Sequence, residues 1–545
     1  MTAENRHARG AASRVLAIGM DGAEPEHVEA WMRDGSLPSL AALAARGSYG
    51  RLASMGDVFS DAVWPTFCTG CGPGRHGYYY LRQVRPGTNG LTSMNNRLYR
   101  RPFWWHLRRR DVRTVIFDVP KVRAQEAGAD LHVVGWGEHY PFVRESHPPQ
   151  LLRDIERRYG KHPHQQDVYT PAGPAHETRM LDRILHGVDV RTEVTFDLMQ
   201  RVAWDLLAVV FSETHSSGHQ FCHYLDPGVP SYSGASAAAV GDGMHRVYCA
   251  VDRAIGRLLD RVPADTNVMV FSLHGMRPDY STHCLMGPFL TALGYQIAAP
   301  PSRSGPVATV RRWIPGGVRD IINRRLPLRT QTAILSNHFE HSTDWTRSRA
   351  VAEDSREGAS WIRINLAGRE PHGIVQPGAE YEALCSELEQ EVARLTIQPG
   401  GGPAVEAVWR TQRIFDGPHA WHLPDLVIKF RQGASLAVLH HPRAGNVSGT
   451  LPVVQNSHHT GTGFLAAAGR QLRQAAARHE YRIHDLAPTL LALLGAPVPR
   501  SMEGRPLHEL LDPTFLENHP IRRNDDDGRV DPWTHAEPDR PDTTR

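Results

Sequence analysis

The stretch VLAIGMDGAEP, residues 15–25, is the part of the sequence that decides the fold. The apolar run Arg14–Gly19 leads directly to the acidic residue Asp21, which is the pattern of a buried strand that ends in a polar loop. Similar runs recur at VRTVIFDVP (112–120), DLLAVVF (205–211), NVMVFSL (267–273) and DLVIKF (425–430). The sequence therefore predicts a series of buried strands along the chain.

Helical patterns separate these strands. The predicted helices are Glu24–Asp34, Leu37–Arg46, Arg191–Val202 and Val247–Arg261. Apolar strands that alternate with amphipathic helices predict an α/β fold, with a central, mainly parallel mixed sheet flanked by helices on both faces. Ligands of such sheets gather beyond the carboxyl ends of the strands. Asp21, segment 212–219 and His274 all follow predicted strands, so we expect them to lie together.

Composition excludes several classes of protein. The chain has 545 residues, 41% of them hydrophobic, and its net charge of +3 argues against an extended nucleic-acid surface. It contains no run of 18 apolar residues, so we expect no membrane-spanning helix and no membrane partner. Residues 1–13 are polar and lack the apolar core of a secretory signal. These features predict a cytoplasmic protein.

The pattern of cysteines predicts packing roles for them, and neither disulfide bonds nor a zinc ribbon. Six are scattered through a long chain without secretion features, which argues against a disulfide framework. Cys68 and Cys71 form a CxxC pair, but no second pair completes a zinc ribbon. We expect both to pack near a helix.

The pattern divides the chain into five parts. A flexible N-terminus at 1–13 precedes a core at 14–294, and the core resumes at 361–517. Segment 295–360 is rich in Pro and Arg and is predicted to be an insertion or lid; its arginines either meet an anionic substrate or form a solvated basic helix. The charged, Pro-rich tail at 518–545 is predicted to be disordered.

Three further motifs point to a family. They are WPTFCTGCGPGRHG (64–77), NLAGREPHGIV (365–375) and HDLAPTLLALLGAPVPRSMEGRPL (484–507). With Asp21 and the histidine motifs below, the chain resembles the type I phosphodiesterase/nucleotide pyrophosphatase branch of the alkaline phosphatase superfamily, from about residue 14 to about residue 510. The resemblance implies an alkaline-phosphatase-like fold whose site holds two zinc ions and a Ser or Thr nucleophile.

The resemblance implies a role for Asp21 and for one hydroxyl. Asp21 matches the first carboxylate ligand of the family; the alternative is a helix cap in a βα turn. The family's nucleophile lies nine residues before the Thr of a Thr-Gly pair, and Thr69-Gly70 selects Ser60. Thr66 is the alternative nucleophile, because Pro65 favours a helix start close to it.

The histidine motifs depart from the family. His219 matches the histidine of an Asp-x-x-x-His ligand pair, and the aspartate position is His215, which keeps a donor atom but loses a negative charge. Glu213 would share the face of His215 if the strand continued, and would then restore that charge. The family's Ser-Asp-His-Gly becomes a sequence with Leu273 before His274, so one carboxylate ligand is lost.

A last histidine completes the predicted centre. The family's downstream histidine precedes a Gly by four residues, which selects His459. We expect His215, His219 and His459 to form one well-formed Zn²⁺ site. The second site, with Asp21, His274 and Ser60, is uncertain because two dications that share so little negative charge repel each other.

Three functions are compatible with these residues. The first is a metal-dependent hydrolase of phosphate diesters or related phosphate esters that uses a Ser nucleophile. The second is a transferase that moves a phosphoryl or sulfuryl group from a nucleotide-like donor to an alcohol or amine. The third is a degenerate, non-catalytic binding protein. The expected partner is a small phosphate or sulfate ester, a nucleotide being one candidate.

Overall fold

The computed structural model describes residues 13–94, 97–108, 110–124, 128–138, 143–164, 173–279, 285–300, 326, 328–353, 359–431, 436–449, 456–474, 479–526 and 528–530. The predicted flexible N-terminus therefore lies almost entirely outside the described residues. The middle of the predicted lid, 301–325, also lies outside them.

The secondary structure alternates strands and helices along most of the chain. The strands are β1 (Val15–Met20), β2 (Ser48–Ala53), β3 (Arg82–Val84), β4 (Leu91–Ser93), β5 (Thr114–Phe117), β6 (Leu131–Val134), β7 (Glu145–His147), β8 (Leu206–Phe211), β9 (Asn267–Ser272), β10 (Gly275–Pro278), β11 (Ala350–Glu353), β12 (Ala359–Ile364), β13 (Thr396–Gln398), β14 (Val405–Arg410), β15 (Leu426–Phe430), β16 (Val438–His441), β17 (Gly445–Ser448), β18 (Ser457–Thr460), β19 (Thr462–Ala468), β20 (His479–Arg482), β21 (Val498–Pro499) and β22 (Arg523–Asn524). The helices are α1 (Pro25–Arg33), α2 (Pro38–Arg46), α3 (Val63–Thr69), α4 (Pro73–His76), α5 (Leu151–Tyr159), α6 (Pro174–Arg201), α7 (Glu213–Phe221), α8 (Gly234–Val240), α9 (Gly243–Leu259), α10 (Met286–Ala292), α11 (Leu328–Ser342), α12 (Ala379–Ala393), α13 (Thr411–Ile414), α14 (Leu486–Leu493) and α15 (Pro513–Asn518).

A nine-stranded mixed sheet forms the centre of the protein. Its spatial order is β20-β2-β19-β9-β1-β8-β5-β6-β7. The strands from β9 to β6 run parallel, whereas β19 is antiparallel to both of its neighbours and β7 is antiparallel to β6. Every residue of β1, β8 and β9 is buried, as expected for strands covered on both faces. The predicted α/β fold is confirmed.

Helices cover both faces because the strands send alternate side chains to opposite sides. In β1, Val15 and Ala17 belong to one apolar cluster, to which α3 and α14 also contribute. Leu16 and Ile18 belong to a second cluster, which includes residues of α6 and α9. The long helices predicted around Arg191–Val202 and Val247–Arg261 are therefore confirmed as covers of one face.

A second sheet lies apart from the first. It has four antiparallel strands in the order β11-β12-β15-β14 and its own apolar cluster. The run DLVIKF does form a strand, β15, but our placement of it in the parallel sheet is wrong. A run of apolar residues predicts a buried strand, but it does not show to which sheet the strand belongs. The end of the predicted lid also belongs here, because β11 is an edge strand of this sheet.

The predicted disordered tail is partly ordered. Its described parts are 518–526, which carries β22 paired with β21, and 528–530, where the amide of Val530 donates to the carbonyl of Tyr99 at 3.1 Å. These backbone hydrogen bonds hold the segment although its side chains are mostly charged. The prediction is therefore wrong for this part, and 531–545 lies outside the described residues. None of the described helices is long and apolar enough to cross a membrane.

Candidate metal centre and active site

Three neighbouring parallel strands deliver the first residues of the site. Asp21 follows β1, His215 lies in the first turn of α7 after β8, and His274 follows β9. Because β1 lies between β8 and β9, the three side chains emerge at the same edge of the sheet. The amide of Asp21 donates to the carbonyl of Phe211 at 3.1 Å, which continues the β1–β8 pairing up to the site.

A short two-stranded ribbon brings the fourth residue. Strand β10 starts directly after His274 and pairs antiparallel with β18, so that Met276 lies opposite His459. The His459 ring then lies 4.7 Å from that of His274 and 5.1 Å from that of His215, measured between centroids.

His215, His274 and His459 form a compact histidine triad. Their ligand nitrogens all lie within 4.8 Å of one another, and within the described ranges this is the one group of three or more His, Cys, Asp or Glu that does so. All three residues are buried. Converging imidazole nitrogens are the usual donors to Zn²⁺ in catalytic sites.

Asp21 contacts two members of the triad. Its Oδ2 lies 3.1 Å from Nδ1 of His215, and its Oδ1 lies 3.4 Å from Nε2 of His274. Burial raises the pKa of Asp21, but His215 and then His274 outweigh burial and hold it well below its ordinary value. Asp21 is therefore an anion at neutral pH.

The loop after Asp21 has room only for glycine. Gly22 has φ of +66°, and a Cβ there would lie 2.9 Å from Sδ of Met276 and 3.3 Å from Cα of His215. The left-handed backbone favours glycine, and the close approach of α7 requires it. The missing side chain lets the His215 helix pack directly against the Asp21 loop.

His219 lies beside the triad. It is one turn after His215 on α7, with ring centroids 4.7 Å from His215 and 5.2 Å from His459. Its Nδ1 lies 2.7 Å from Oγ of Ser457. The sequence grouped His219 with His215 and His459, whereas the compact triad contains His274 in its place. A ligand role for His219 stays a prediction.

Glu213 does not face the triad, and its prediction as a possible ligand is wrong. Our argument required the strand to continue, but helix α7 begins at Glu213. Residues two apart on a helix point roughly 200° apart. Both carboxylate oxygens instead accept from Nε of Arg191, at 2.9 and 3.0 Å, and Oε1 lies 2.7 Å from Nε2 of His162. Burial raises the pKa of Glu213, but Arg191 and His162 lower it to about 2.

Ser60 starts the helical segment next to the triad. It begins a 3-10 turn, Ser60–Ala62, that runs into α3, and its exposure is 7%. One turn further on, the indole N–H of Trp64 donates to Oδ1 of Asp21 at 2.8 Å. On the other side, a Cβ at Gly56 would lie 2.6 Å from Cβ of His274. The Ser60 segment is therefore bracketed by contacts with two residues of the centre.

Thr66, the alternative nucleophile, is held by a histidine. Its Oγ1 lies 3.1 Å from Nε2 of His76, and Nδ1 of the same ring accepts the backbone N–H of Tyr78 at 3.1 Å. Since Nδ1 accepts, Nε2 carries the proton and donates to Thr66. His76 thus supplies no base to Thr66, which is fully buried. The arrangement favours Ser60.

Leu273 occupies an apolar environment. The side chain is fully buried and belongs to the same apolar cluster as Trp64 and Phe271. It contributes hydrocarbon at the position where the family pattern has a carboxylate. Cys68, in the same cluster, and Cys71, which donates to the carbonyl of Ser501 at 3.3 Å, are also buried.

Sequence reasoning missed a buried charged group beside Ser60. Nζ of Lys121 lies 3.2 Å from Oδ1 of Asp61, the residue after Ser60. Lys121 and Asp118 both have positive φ, of 64° and 52°, which is uncommon for residues other than glycine and marks a strained loop. The loop follows β5, so its position after a strand was the signal that could have indicated it.

Glu138 lies near the same loop. The carboxyl group is buried, and burial raises its pKa to about 8; Lys121 opposes the shift, whereas Asp118 and Asp21 add to it. The group is therefore mostly protonated at neutral pH. Because it is mostly protonated, Glu138 adds less than one full negative charge to those of Asp118 and Asp21.

A comparison with known protein families finds a match to the sequence. The sequence profile of the type I phosphodiesterase / nucleotide pyrophosphatase family matches residues 15–299. The chain belongs to this family. The matched range includes Asp21, Ser60, His215 and His274, whereas His459 lies beyond it. A search of curated proteins found no match.

Solved structures of distant proteins are similar over most of the chain. Phosphonoacetate hydrolase from Sinorhizobium meliloti 1021 has 14% identity and a TM-score of 0.46, covering 89% of this chain and 96% of that one. Alkaline phosphatase PafA has 12% identity and a TM-score of 0.48, with 91% and 98% covered. Human ectonucleotide pyrophosphatase/phosphodiesterase 5 has 12% identity and a TM-score of 0.45, with 92% and 100% covered.

Proposed function

We propose that the protein is a metal-dependent hydrolase of phosphate diesters or related phosphate esters, with Ser60 as the nucleophile. Family membership supports a phosphoester hydrolase. The observation that carries the finer proposal is the convergence of the histidine triad on ionised Asp21, which the segment around Ser60 contacts through Gly56 and Trp64.

The donor set fits zinc. Three imidazole nitrogens and one carboxylate oxygen match the ligand types of Zn²⁺, an ion that can expand to five ligands when a substrate oxygen binds. His215, His274, His459 and Asp21 would hold the ion, and His219 is a further donor at its edge. When bound, the ion would act as a Lewis acid on a phosphoryl oxygen and favour deprotonation of a neighbouring hydroxyl.

Charge favours a diester over a monoester. The imidazoles are neutral as ligands, so Asp21 and one dication together carry a single positive charge. A phosphate diester carries one negative charge and neutralises it. A monoester dianion leaves an excess negative charge in a buried site, which is unfavourable. Lys121 does not change this balance because Asp61 already pairs with it.

Ser60 would carry the covalent step. Its oxygen attacks phosphorus, the bond from phosphorus to the leaving alcohol breaks, and the departing oxygen takes up a proton. Water then attacks the phosphorus of this covalent seryl phosphate diester, the bond from phosphorus to the Ser60 oxygen breaks, and Ser60 recovers a proton as the phosphate monoester leaves. Burial of Ser60 and its neighbours limits the access of bulk water during the first step.

The test compares two hydroxyl variants. Purified protein is assayed with bis(p-nitrophenyl) phosphate and p-nitrophenyl phosphate, alongside Ser60→Ala and Thr66→Val. We expect faster turnover of the diester, a loss of at least about 1000-fold in Ser60→Ala, and a rate within about tenfold of wild type in Thr66→Val. Metal content measures whether Ser60→Ala keeps an intact centre.

Other outcomes would replace the proposal. Unchanged activity in Ser60→Ala would exclude Ser60, and loss only in Thr66→Val would move the nucleophile to Thr66. Turnover that requires an added alcohol or amine acceptor would identify a transferase. A chain that binds no metal and cleaves neither ester under either condition would be a binding protein.

A further inference from the structure

The indole of Trp64 is fixed against Asp21. Its N–H donates to Oδ1 at 2.8 Å. The ring packs edge-to-face on Phe67, with centroids 5.7 Å apart, and lies 6.2 Å from Phe271. Its far end covers Gly19 in β1, where a Cβ would lie 2.8 Å from Cη2 of the indole. At 3% exposure, Trp64 cannot rotate its N–H away without disrupting the core.

This contact changes what Asp21 can bind. An N–H group places its positive end against the carboxylate oxygen, where a cation would otherwise lie. Nε2 of His274, 3.4 Å away, is the second neighbour of the same oxygen. Oδ2 lies against His215, so each oxygen of Asp21 faces one residue of the triad. Asp21 can therefore contribute to an ion at the triad, while the Trp64 N–H already uses one acceptor site of Oδ1.

Leu273, directly before His274 in the sequence, supplies no ligand atom. It is fully buried in the apolar cluster that contains Trp64 and Phe271, and its side chain has no lone pair to donate. The family resemblance implies two zinc ions and an aspartate at this position. Glu213, which would have replaced the missing charge, is bound to Arg191. The ligand atom and the negative charge of that aspartate are thus both missing, and Glu213 does not replace them.

We propose that this centre holds a single metal ion, because the Trp64 N–H already binds one Asp21 oxygen and Leu273 supplies no ligand atom or charge for a second ion. The inference rests on the proposed function only in that the triad is a metal site. With Ser60 protonated, Asp21 is the one negative group of the centre, which leaves one dication with a net charge of one and two dications with a net charge of three. The chain would therefore be a one-ion member of a family expected to use two.

The first measurement is metal stoichiometry. Metal is removed from the full-length protein with a chelator, the protein is titrated with Zn²⁺ by calorimetry, and the bound metal is counted by mass spectrometry after gel filtration. We expect one ion per chain, lost in His459→Ala. Two ions per chain would overturn the inference, and so would none.

The second measurement attempts to restore the other ion. Trp64→Phe keeps an aromatic ring but removes the N–H, and combining it with Leu273→Asp adds the missing carboxylate. We expect two ions per chain in the double variant, and one in Trp64→Phe alone. Trp104→Phe, a buried tryptophan of the same apolar cluster, is the matched control and should retain one.

The outcomes separate this inference from the proposed function. A double variant with wild-type circular dichroism that still binds one ion would overturn the roles of Trp64 and Leu273. If the buried aspartate prevents folding, the stoichiometries of wild type and Trp64→Phe still decide the number of ions. One ion without esterase activity would support the inference and remove the proposed function, whereas two ions with activity would do the reverse.

Discussion

Oγ of Ser457 lies 2.7 Å from Nδ1 of His219, so a residue of β18 holds a ring of α7. A hydrogen bond at one imidazole nitrogen fixes the ring and leaves the other nitrogen as the donor atom. Ser457 is buried, and two residues later the same strand carries His459. The strand therefore supplies both a triad residue and the partner that orients His219.

If His219 is a ligand, Ser457→Ala should weaken zinc binding. Removing a partner of this kind typically lowers metal affinity by about 10-fold to 100-fold. Competition with a chromogenic chelator measures the dissociation constant, with Ser36→Ala as a surface control. An unchanged affinity in Ser457→Ala would show that His219 does not bind the ion.

Thr66→Val should reduce stability without abolishing activity. Valine has the shape of threonine but cannot accept the proton that His76 donates at 3.1 Å. A buried N–H left without an acceptor costs about 1–3 kcal/mol of unfolding free energy. Urea denaturation measures the change, and the diesterase rate is measured on the same sample. Loss of the rate with unchanged stability would contradict the structural role of Thr66.

Arg191→Met should destabilise the protein strongly. The guanidinium is fully buried and binds Glu213 at 2.9 Å and Asp118 at 2.8 Å. Its removal leaves two buried carboxylates without their cation, a change that costs about 3–5 kcal/mol. Arg157→Met is the control, since its ion pair with Asp154 is mostly exposed and such pairs contribute about 0–1 kcal/mol. Equal losses in both variants would refute this account.

Glu138→Gln should become relatively more stabilising as pH rises. Burial raises the pKa of Glu138 from an ordinary value of 4.5 to about 8. Between these values the folded chain binds more protons than the unfolded chain, so wild-type stability falls with pH by up to about 1.4 kcal/mol per unit. Glutamine cannot ionise and avoids this loss.

Urea unfolding at pH 5.5, 7 and 8.5 checks the Glu138 prediction. The difference in unfolding free energy between Glu138→Gln and wild type should grow in favour of the variant across this range. Glu480→Gln, at an exposed position, should show no such trend. A constant difference for Glu138→Gln would mean that its carboxyl group titrates alike in the folded and unfolded chains.

The sequence predicts the edge of the sheet where the site lies. Asp21, His215 and His274 each follow a run of buried apolar residues, and such runs form the parallel strands of an α/β sheet. Because the carboxyl ends of neighbouring parallel strands meet, the convergence of these three residues follows from the pattern alone. His459 required the family spacing, since its strand lies outside the main sheet.

The remaining features depend on tertiary packing. Whether the chain after β8 continues as a strand or turns into a helix decides where Glu213 points, and the apolar pattern ends before that choice. The indole of Trp64 reaches Asp21 only because Gly19 leaves space for it. Only the positions of the imidazole rings in the structure show that His274, and not His219, belongs to the compact triad. None of these three features can be predicted from the periodicity or the spacing of residues in the sequence.

The hydrogen bond from Thr460 to Glu24 joins residues 436 positions apart. It ties the loop after Asp21 to the strand that carries His459, so the two ends of the histidine centre come from opposite ends of the chain. A ribosome-bound chain that has reached residue 300 already contains Asp21, His215 and His274, but no triad. Synthesis must pass His459 before the centre can close, which makes the loading of any ion an event that follows translation of most of the protein.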